Sequence, residues 1–326
     1  MAKSVNLVLR YRLILQAAAA FLFLEGCHFL AWRGLEPFAS WFYVLAWWPY
    51  ILIIDTIIFA LKGESPLRNH PRQVAAMLPW SVFIWLVFEL FNLRLDNWHY
   101  VNVTGVLWLR WAGYFLSFAT VLPGIFMTAE LLGALGLFAG RRLPAIPAST
   151  AWYPWFRAAG VLCGLLPLLW PRYFFPLVWG TFVFGLEPSL HAAYRRHGLE
   201  VSLMADLERG DPRRILRLLA AGAVCGLLWE FWNFWARTKW IYTVPFVSGL
   251  KLFEMPVAGF LGFPPFALEC FVMYNFIRLH LGDLSEPTRA GAAGRAGLVV
   301  SAALVAAMCL VAFSAMDRLT VYSYVK

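Results

Sequence analysis

Apolar runs long enough to cross a hydrocarbon layer recur from one end of this chain to the other, and no other feature narrows its fold as far. A bilayer core of roughly 30 Å takes about 20 apolar residues in helical form, and only helices or a closed barrel satisfy the backbone there. The runs lack the two-residue alternation of barrel strands, so helices are expected. We place them near 11–31, 41–61, 74–94, 123–140, 155–171, 173–192, 214–236, 264–281 and 296–316. This describes an all-α polytopic membrane protein with about nine transmembrane helices. Composition leaves no room for a sizeable water-soluble domain, because 61% of the 326 residues are hydrophobic and mean hydropathy is +0.67. Two shorter apolar pieces, 106–121 and 249–262, precede Pro123 and the Pro264-Pro265 pair and read as interfacial or re-entrant.

Charge follows topology. The formal net charge of +9 is distributed through loops rather than gathered in one basic stripe, so no nucleic-acid partner is expected. With the N-terminus inside, alternate loops collect Lys62, Arg68 and Arg72, then Arg141 and Arg142, then Arg195, Arg196, Arg209, Arg213, Arg214 and Arg217, then Arg289 and Arg295. That asymmetry predicts a cytoplasmic N-terminus, a C-terminus on the opposite side, and residence in the cytoplasmic (inner) membrane. Lys3, Arg10 and Arg12 before an apolar stretch ending at Cys27 imitate a signal segment, but Glu25 and the continuation to Trp32 predict an uncleaved first helix. The five cysteines fall singly in apolar runs and read as small core residues.

The chain repeats itself. FELFNLRLDNWHYVNV, from Phe88, matches WEFWNFWARTKWIYTVPF, from Trp229, in Glu89/Glu230, Asn92/Asn233, Trp98/Trp240 and Tyr100/Tyr242. Upstream, Trp47 and Asp55 mirror Trp179 and Glu187; downstream, Pro123 and Glu130 mirror Pro264 or Pro265 and Glu269. An even number of spans separates the copies, which predicts a tandem repeat of one orientation, related by an axis along the membrane normal, with a central site between the halves. The expected organisation is an N-terminal helix (1–40), a first repeat (41–145), a connecting helix (146–172), a second repeat (173–285) and a C-terminal helix (286–326).

Within the spans, acids are costly, about 2.5 to 3.5 kcal/mol each at a helix centre, which directs attention to Glu25, Asp55, Glu89, Glu130, Glu187, Glu230 and Glu269. Some of these serve in membrane helices simply as hydrogen-bond partners between helices, and a duplication copies such acids as readily as catalytic ones. Glu89-x-x-Asn92 and Glu230-x-x-Asn233 put carboxylate and amide one turn apart, so the amide is expected to orient the acid. Glu130 and Glu269 lie a turn or two past their prolines, where burial would keep a carboxylic acid protonated and able to act as a general acid. Trp85, Trp229, Trp232 and Trp235 flank the paired acids and either pack the core or line a cavity able to stabilise a cation. Glu25-x-x-His28 is a lone motif of its kind, and no metal site is expected. His70, His191, His197 and His280 read as solvated interfacial residues. No phosphate loop or nucleophile elbow occurs, and no cofactor is expected.

The order in the second half, an acid, Asn233, Trp240-x-Tyr242, Gly259, Gly262, Pro264-Pro265 and Glu269, resembles the integral-membrane lycopene cyclases of the flavin-free, heterodimeric or fused type, and related membrane terpene cyclases. The first half shows the same order. The resemblance implies two homologous helical domains whose buried carboxylates protonate a polyene. It would make Glu230 and Glu269 the leading acids, Glu89 and Glu130 their counterparts, and Asn92 and Asn233 the orienting amides. The wall would come from Trp229, Trp232, Trp240, Tyr242, Trp98 and Tyr100. The chain departs from that pattern where the family's adjacent acid pair is a single Glu after PPFAL, and where PGIFMTAE stands in the first half.

The expectation is therefore a cyclase or isomerase of an isoprenoid or carotenoid-like membrane lipid. A proton-coupled transporter or lipid carrier with a carboxylate-lined site between the repeats is the alternative, and a non-catalytic assembly subunit a third. A greasy pocket favours the enzyme; a polar vestibule open to water favours transport.

Overall fold

The computed structural model describes residues 7–246, 249–281 and 291–325. Lys3 and Arg289, and the side chain of Arg295, lie outside the described residues. The described chain runs α1 (Leu7–Trp32), α2 (Phe38–Lys62), α3 (Pro66–Asn69), α4 (Pro71–Leu95), β1 (Trp98–Val101), β2 (Val103–Thr104), α5 (Leu107–Phe118) and α6 (Val121–Ala134). It continues with α7 (Tyr153–Leu169), α8 (Pro171–Phe174), α9 (Thr181–His197), α10 (Leu203–Glu208), α11 (Arg213–Trp235), β3 (Lys239–Tyr242), β4 (Lys251–Leu252), β5 (Met255–Pro256), α12 (Phe263–Leu281), α13 (Gly291–Leu319) and β6 (Tyr324–Val325).

Seven helical segments among the described residues are long and apolar enough to cross a membrane: Val8–Trp32, Phe38–Lys62, Pro71–Leu95, Leu107–Ala134, Arg213–Trp235, Val257–Leu281 and Ala296–Leu319. They mark the chain as an integral membrane protein. The segments expected at 155–171 and 173–192 are shorter. α7 and α9 have 17 residues each, and Pro171 and Pro176 break the stretch before α9 into α8 and a 3₁₀ turn over Phe175–Gly180.

The two pieces expected to be interfacial or re-entrant join spans instead. α5 leads directly into α6 through residues 119–120, and a 3₁₀ turn over Val257–Gly262 leads into α12. Pro123, Pro264 and Pro265 sit in the first turns of α6 and α12, where no intrahelical N–H is needed, so they start helices without ending the crossing.

The helices pair as α1 on α2, α2 on α6, α7 on α9 and α9 on α12, with α11 packed against both α6 and α12, and α13 lying on α4. Trp47, Phe42, Phe88 and Phe266 are fully buried where these helices meet. Trp47 lies over Gly124 and Trp179 over Gly262; a Cβ at either glycine would stand 2.8 or 2.9 Å from the indole. A short sheet joins the segments that follow α4 and α11: β1 pairs antiparallel with β3, Trp98 opposite Tyr242 and Tyr100 opposite Trp240.

Two of the acids are structural. Asp55 accepts hydrogen bonds from the Ser65 hydroxyl (2.9 Å) and the Leu67 N–H (2.8 Å). Glu187 accepts them from the Ser202 hydroxyl (2.5 Å) and the Met204 N–H (2.9 Å). Each carboxylate thus holds the first turn of the short helix next in the chain, α3 or α10. His191, expected at a solvated interface, is fully buried, hydrogen-bonded to the Tyr153 hydroxyl (2.8 Å) and to Glu208 (3.0 Å), and ties α7, α9 and α10 together.

Candidate functional site

Both Glu-x-x-Asn motifs lie near the C-terminal ends of their helices, and this position decides what the amides do. α4 ends with Asp96 in the left-handed region (φ 51°). Asn92 Oδ1 then accepts from the N–H groups of Asn97 (2.9 Å) and Trp98 (3.2 Å), and its Nδ2 donates to the Trp98 carbonyl (2.8 Å). Asn233 does the same at the end of α11, accepting from Trp240 N–H (3.0 Å) and donating to the Trp240 carbonyl (2.9 Å). The expectation that the amides orient the acids directly is corrected: they clamp the backbone of the returning strand, which carries the aromatic groups to the acids. Replacing Asn92 or Asn233 by Ala leaves buried strand groups unpaired. Each change is expected to cost about 1–3 kcal/mol and to speed amide exchange in β1 and β3, read by hydrogen exchange in detergent.

Thus held, the strands point their side chains back at the carboxylates. Glu89, fully buried, accepts from the Tyr100 hydroxyl (2.5 Å), Trp85 Nε1 (2.9 Å) and Trp98 Nε1 (3.1 Å to Oε1, 3.3 Å to Oε2). Glu230, equally buried, accepts from the Tyr242 hydroxyl (2.8 Å), and among the described residues its Oε2 has no partner. Two differences cause this. Trp240 Nε1 donates to the Tyr242 hydroxyl (2.8 Å) rather than to the acid. Where α4 has Trp85, α11 has Gly226, whose space is filled by the Phe263 ring. Burial, then the adjacent carboxylate, pushes the hydroxyls of Tyr100 and Tyr242 well above the ordinary tyrosine range, so both remain donors at neutral pH.

In front of these groups lies a cavity of about 1260 Å³, counting space open to the surroundings, with a largely apolar wall. Trp85, Trp98, Tyr100, Trp229, Trp240 and Tyr242 line it. Glu89 and Glu230 sit one layer behind, reached through the tyrosine hydroxyls. Trp179, Phe118, Phe263 and Phe266 complete the aromatic wall. Ser40, Thr104, Arg110, Thr238 and Lys239 come from the start of α2, the start of α5 and the segments after α4 and α11, and Ser117, near the end of α5, adds a further hydroxyl to the lining.

The structure does not bring the remaining expected residues to this wall. Trp232 is 4% exposed and packs edge-on against Trp47 (4.9 Å between ring centroids) and against Tyr50, on the core side of α11. Glu269 is fully buried, but its Oε2 accepts from the Phe182 (2.8 Å) and Val183 (3.2 Å) N–H groups and so caps α9; among the described residues its Oε1 has no partner. Glu130, expected to be a buried protonated acid, is instead ion-paired with Lys62 at 2.7 Å, its side chain 33% exposed. The crossing that contains it begins at Leu107, not Pro123, so Glu130 falls in the last turn. Glu25 lies on the exposed side of α1, and His28 turns inward to stack on Phe42 (5.2 Å), so the two are not brought together.

Sequence reasoning passed over Arg110, whose guanidinium makes a bidentate pair with Asp317 (2.8 Å for both contacts) and hydrogen bonds to the Thr104 and Gly105 carbonyls. A single arginine inside the apolar stretch LWLRWAGY is the signal that could have flagged it.

Fold and site together define an integral membrane protein with an aromatic, largely apolar cavity backed by two buried carboxylates. Comparison with protein-family models, with curated proteins and with solved structures returns no match to the chain.

Proposed function

We propose that the protein is an intramembrane cyclase or isomerase of an isoprenoid-like lipid, acting by protonation of a carbon–carbon double bond. The observation that carries this reading is the Tyr242 hydroxyl, which stands on the wall of an aromatic cavity and is hydrogen-bonded to a buried carboxyl with one oxygen free. In the proposed step, Glu230 is a protonated carboxylic acid and its hydrogen bond with Tyr242 reverses, so that the acid donates to the Tyr242 oxygen and the tyrosine O–H turns to the substrate. The Glu230 carboxyl then passes its proton to the Tyr242 oxygen as Tyr242 passes its own to an alkene carbon. The π pair becomes the new C–H bond and the neighbouring carbon becomes cationic, facing the rings of Trp229, Trp240 and Trp85. A second double bond closes on that carbon, or none does, and loss of a proton from the adjacent carbon returns through the tyrosine to the carboxylate. Substrate and product have the same mass, and no oxidant or reductant enters the balance.

The resemblance to the flavin-free lycopene cyclases supports this reading, and so does the two-fold character of the architecture. Trp98 opposite Tyr242 and Tyr100 opposite Trp240 is the register that two equivalent strands take around a local two-fold axis. Asp55 and Glu187 hold equivalent serine-led turns, and Trp47 and Trp179 each cover a glycine beside the prolines that start α6 and α12. We read the chain as a tandem duplication about an axis along the membrane normal. We place its N-terminal end and arginine-rich loops on the cytoplasmic side of the inner membrane.

The test is chromatography with mass spectrometry on lipids from a host supplied with linear polyprenoids. Wild type is expected to yield a same-mass, differently retained product, and Tyr242→Phe to reduce it at least about tenfold by interrupting the relay. Unchanged lipids with wild type across a broad polyprenoid panel would sink the enzyme reading. The alternative, a proton-coupled transporter or lipid carrier, is favoured by a second pocket of about 690 Å³ lined by Glu64, His70, Gln73, Glu130 and Arg278. That alternative requires proton flux into proteoliposomes that falls in Glu130→Gln.

A further inference from the structure

We infer that α1 is the surface through which two copies of this chain pair in the membrane, side by side and parallel, with the two Glu25 carboxyls hydrogen-bonded to each other at the axis between them. The pairing is independent of the reaction at the cavity and needs no ligand.

α1 packs on α2, and its buried side carries Leu13, Leu24, Cys27 and Ala31. Its opposite side carries Leu15, Ala18, Leu22, Glu25, Phe29 and Trp32, all exposed, Leu22 to 69%. Their spacings alternate between three and four, so they form a straight seam of the kind that left-handed helix pairs bury. The apolar members need no cover, because lipid tails are as apolar as leucine. Glu25 does. It lies within the span Val8–Trp32, roughly 10 Å along the helix from the end at Trp32. It points away from α2, lines neither cavity, and receives no hydrogen bond or ion pair among the described residues. An acid facing lipid at that depth is costly, and acids within spans face a partner helix or a water-filled cavity instead.

A second copy supplies the matching group at the matching depth. Every copy inserts with the same orientation, so the α1 helices of two copies run parallel. A two-fold axis along the membrane normal then sets each seam residue against its own equivalent, and Glu25 meets Glu25. Burying an ionised carboxylate in hydrocarbon costs far more than burying the neutral acid, so the complementary arrangement is a pair of neutral acids. Each carries one O–H donor and one carbonyl acceptor, and the two satisfy each other with reciprocal hydrogen bonds. A single polar position in an apolar seam also fixes the register. Sliding one helix by a turn, or reversing it, would leave both carboxyls against apolar side chains.

The test is single-molecule photobleaching of the full chain, labelled through a fused fluorescent tag and reconstituted in liposomes at falling protein-to-lipid ratios. Wild type is expected to bleach in two steps at dilutions where Glu25→Ala bleaches in one, the dissociation constant of that variant being raised about tenfold. Glu25→Gln, whose amides pair with each other, is expected to stay with wild type. On oxidation in the liposomes, Leu22→Cys, on the seam, is expected to cross-link above the wild-type background, and Phe23→Cys, exposed but off the seam, to stay at it. One-step bleaching of wild type at every ratio, a dimer that Glu25→Ala does not weaken, or equal cross-linking at the two positions would overturn the inference. Wild type alone in liposomes, with Leu22→Cys cross-linked to a different protein in native membranes, would overturn the second copy as occupant and give the seam to another protein's helix. If Glu25→Ala does not fold, the two cysteine variants decide by the same outcomes.

Discussion

Glutamine at position 230 is expected to reduce product formation by about 10²- to 10⁴-fold, the usual worth of a positioned general acid, while leaving stability nearly unchanged. The side chain accepts one hydrogen bond, from Tyr242, and a glutamine carbonyl can still accept it. Glutamine at position 89 is expected to do the reverse. Glu89 receives three donors at Oε1, from Trp85, Trp98 and Tyr100, and the Trp98 N–H is shared with Oε2 (3.3 Å), so an amide NH₂ in place of Oε2 faces that N–H. A buried clash of two donors costs about 1–3 kcal/mol. Product formation per folded molecule by mass spectrometry, beside thermal unfolding in detergent, separates the two outcomes. Equal losses of activity in both variants with unchanged unfolding would defeat the assignment of different duties to Glu89 and Glu230.

The second large effect concerns the C-terminal helix. Asp317 on α13 receives Arg110 through both oxygens, and also Trp111 Nε1 (2.9 Å) and the Tyr114 hydroxyl (3.0 Å), all from α5. The side chains of Arg110 and Asp317 are 9% and 12% exposed. Asp317→Ala removes the counter-charge and strands the guanidinium, an uncompensated charge worth about 3–5 kcal/mol when buried. We expect that loss in unfolding experiments. Because Arg110 and Tyr114 line the cavity, we also expect weakened binding of a fluorescent polyene to the full chain in nanodiscs. The paired change Arg110→Met with Asp317→Leu is expected to recover most of the stability, because desolvating two charges offsets much of what their attraction returns. A double variant as unstable as Asp317→Ala would show that the clasp holds α13 by shape rather than charge.

Several residues were placed correctly on helices by their sequence and still could not be given their partners. Asn92 and Asn233 are one turn from their acids, which is the geometry for an i,i+3 contact. Both also stand in the last turns of their helices, where the returning backbone competes for the amide and wins. Glu130 and Glu269 align as repeat partners, but Glu269 is at the middle of Val257–Leu281 and Glu130 is near the end of Leu107–Ala134. The difference arises because Pro123 reads as the start of a span when the crossing has already begun in α5. Trp232 and Trp229 are three apart on α11, and only the neighbouring helices decide which faces the cavity and which faces Trp47.

What the sequence by itself determined is the solvent and the plan: apolar runs that only a bilayer accommodates, carboxylates too costly there to be accidental, and aromatic motifs that recur in order. These come from composition and spacing along one chain, because the hydrophobic effect and the helical period are local to a segment. The tertiary structure alone decided the division between the acids, with Glu89 saturated by donors, Glu230 left with a free oxygen, Glu269 and Glu187 serving as helix caps and Glu130 paired with Lys62. A carboxylate's role depends on which donors converge on it. Those donors come from strands and helices far away in sequence, whose arrival is set by packing between helices and leaves no trace in the spacing around the acid.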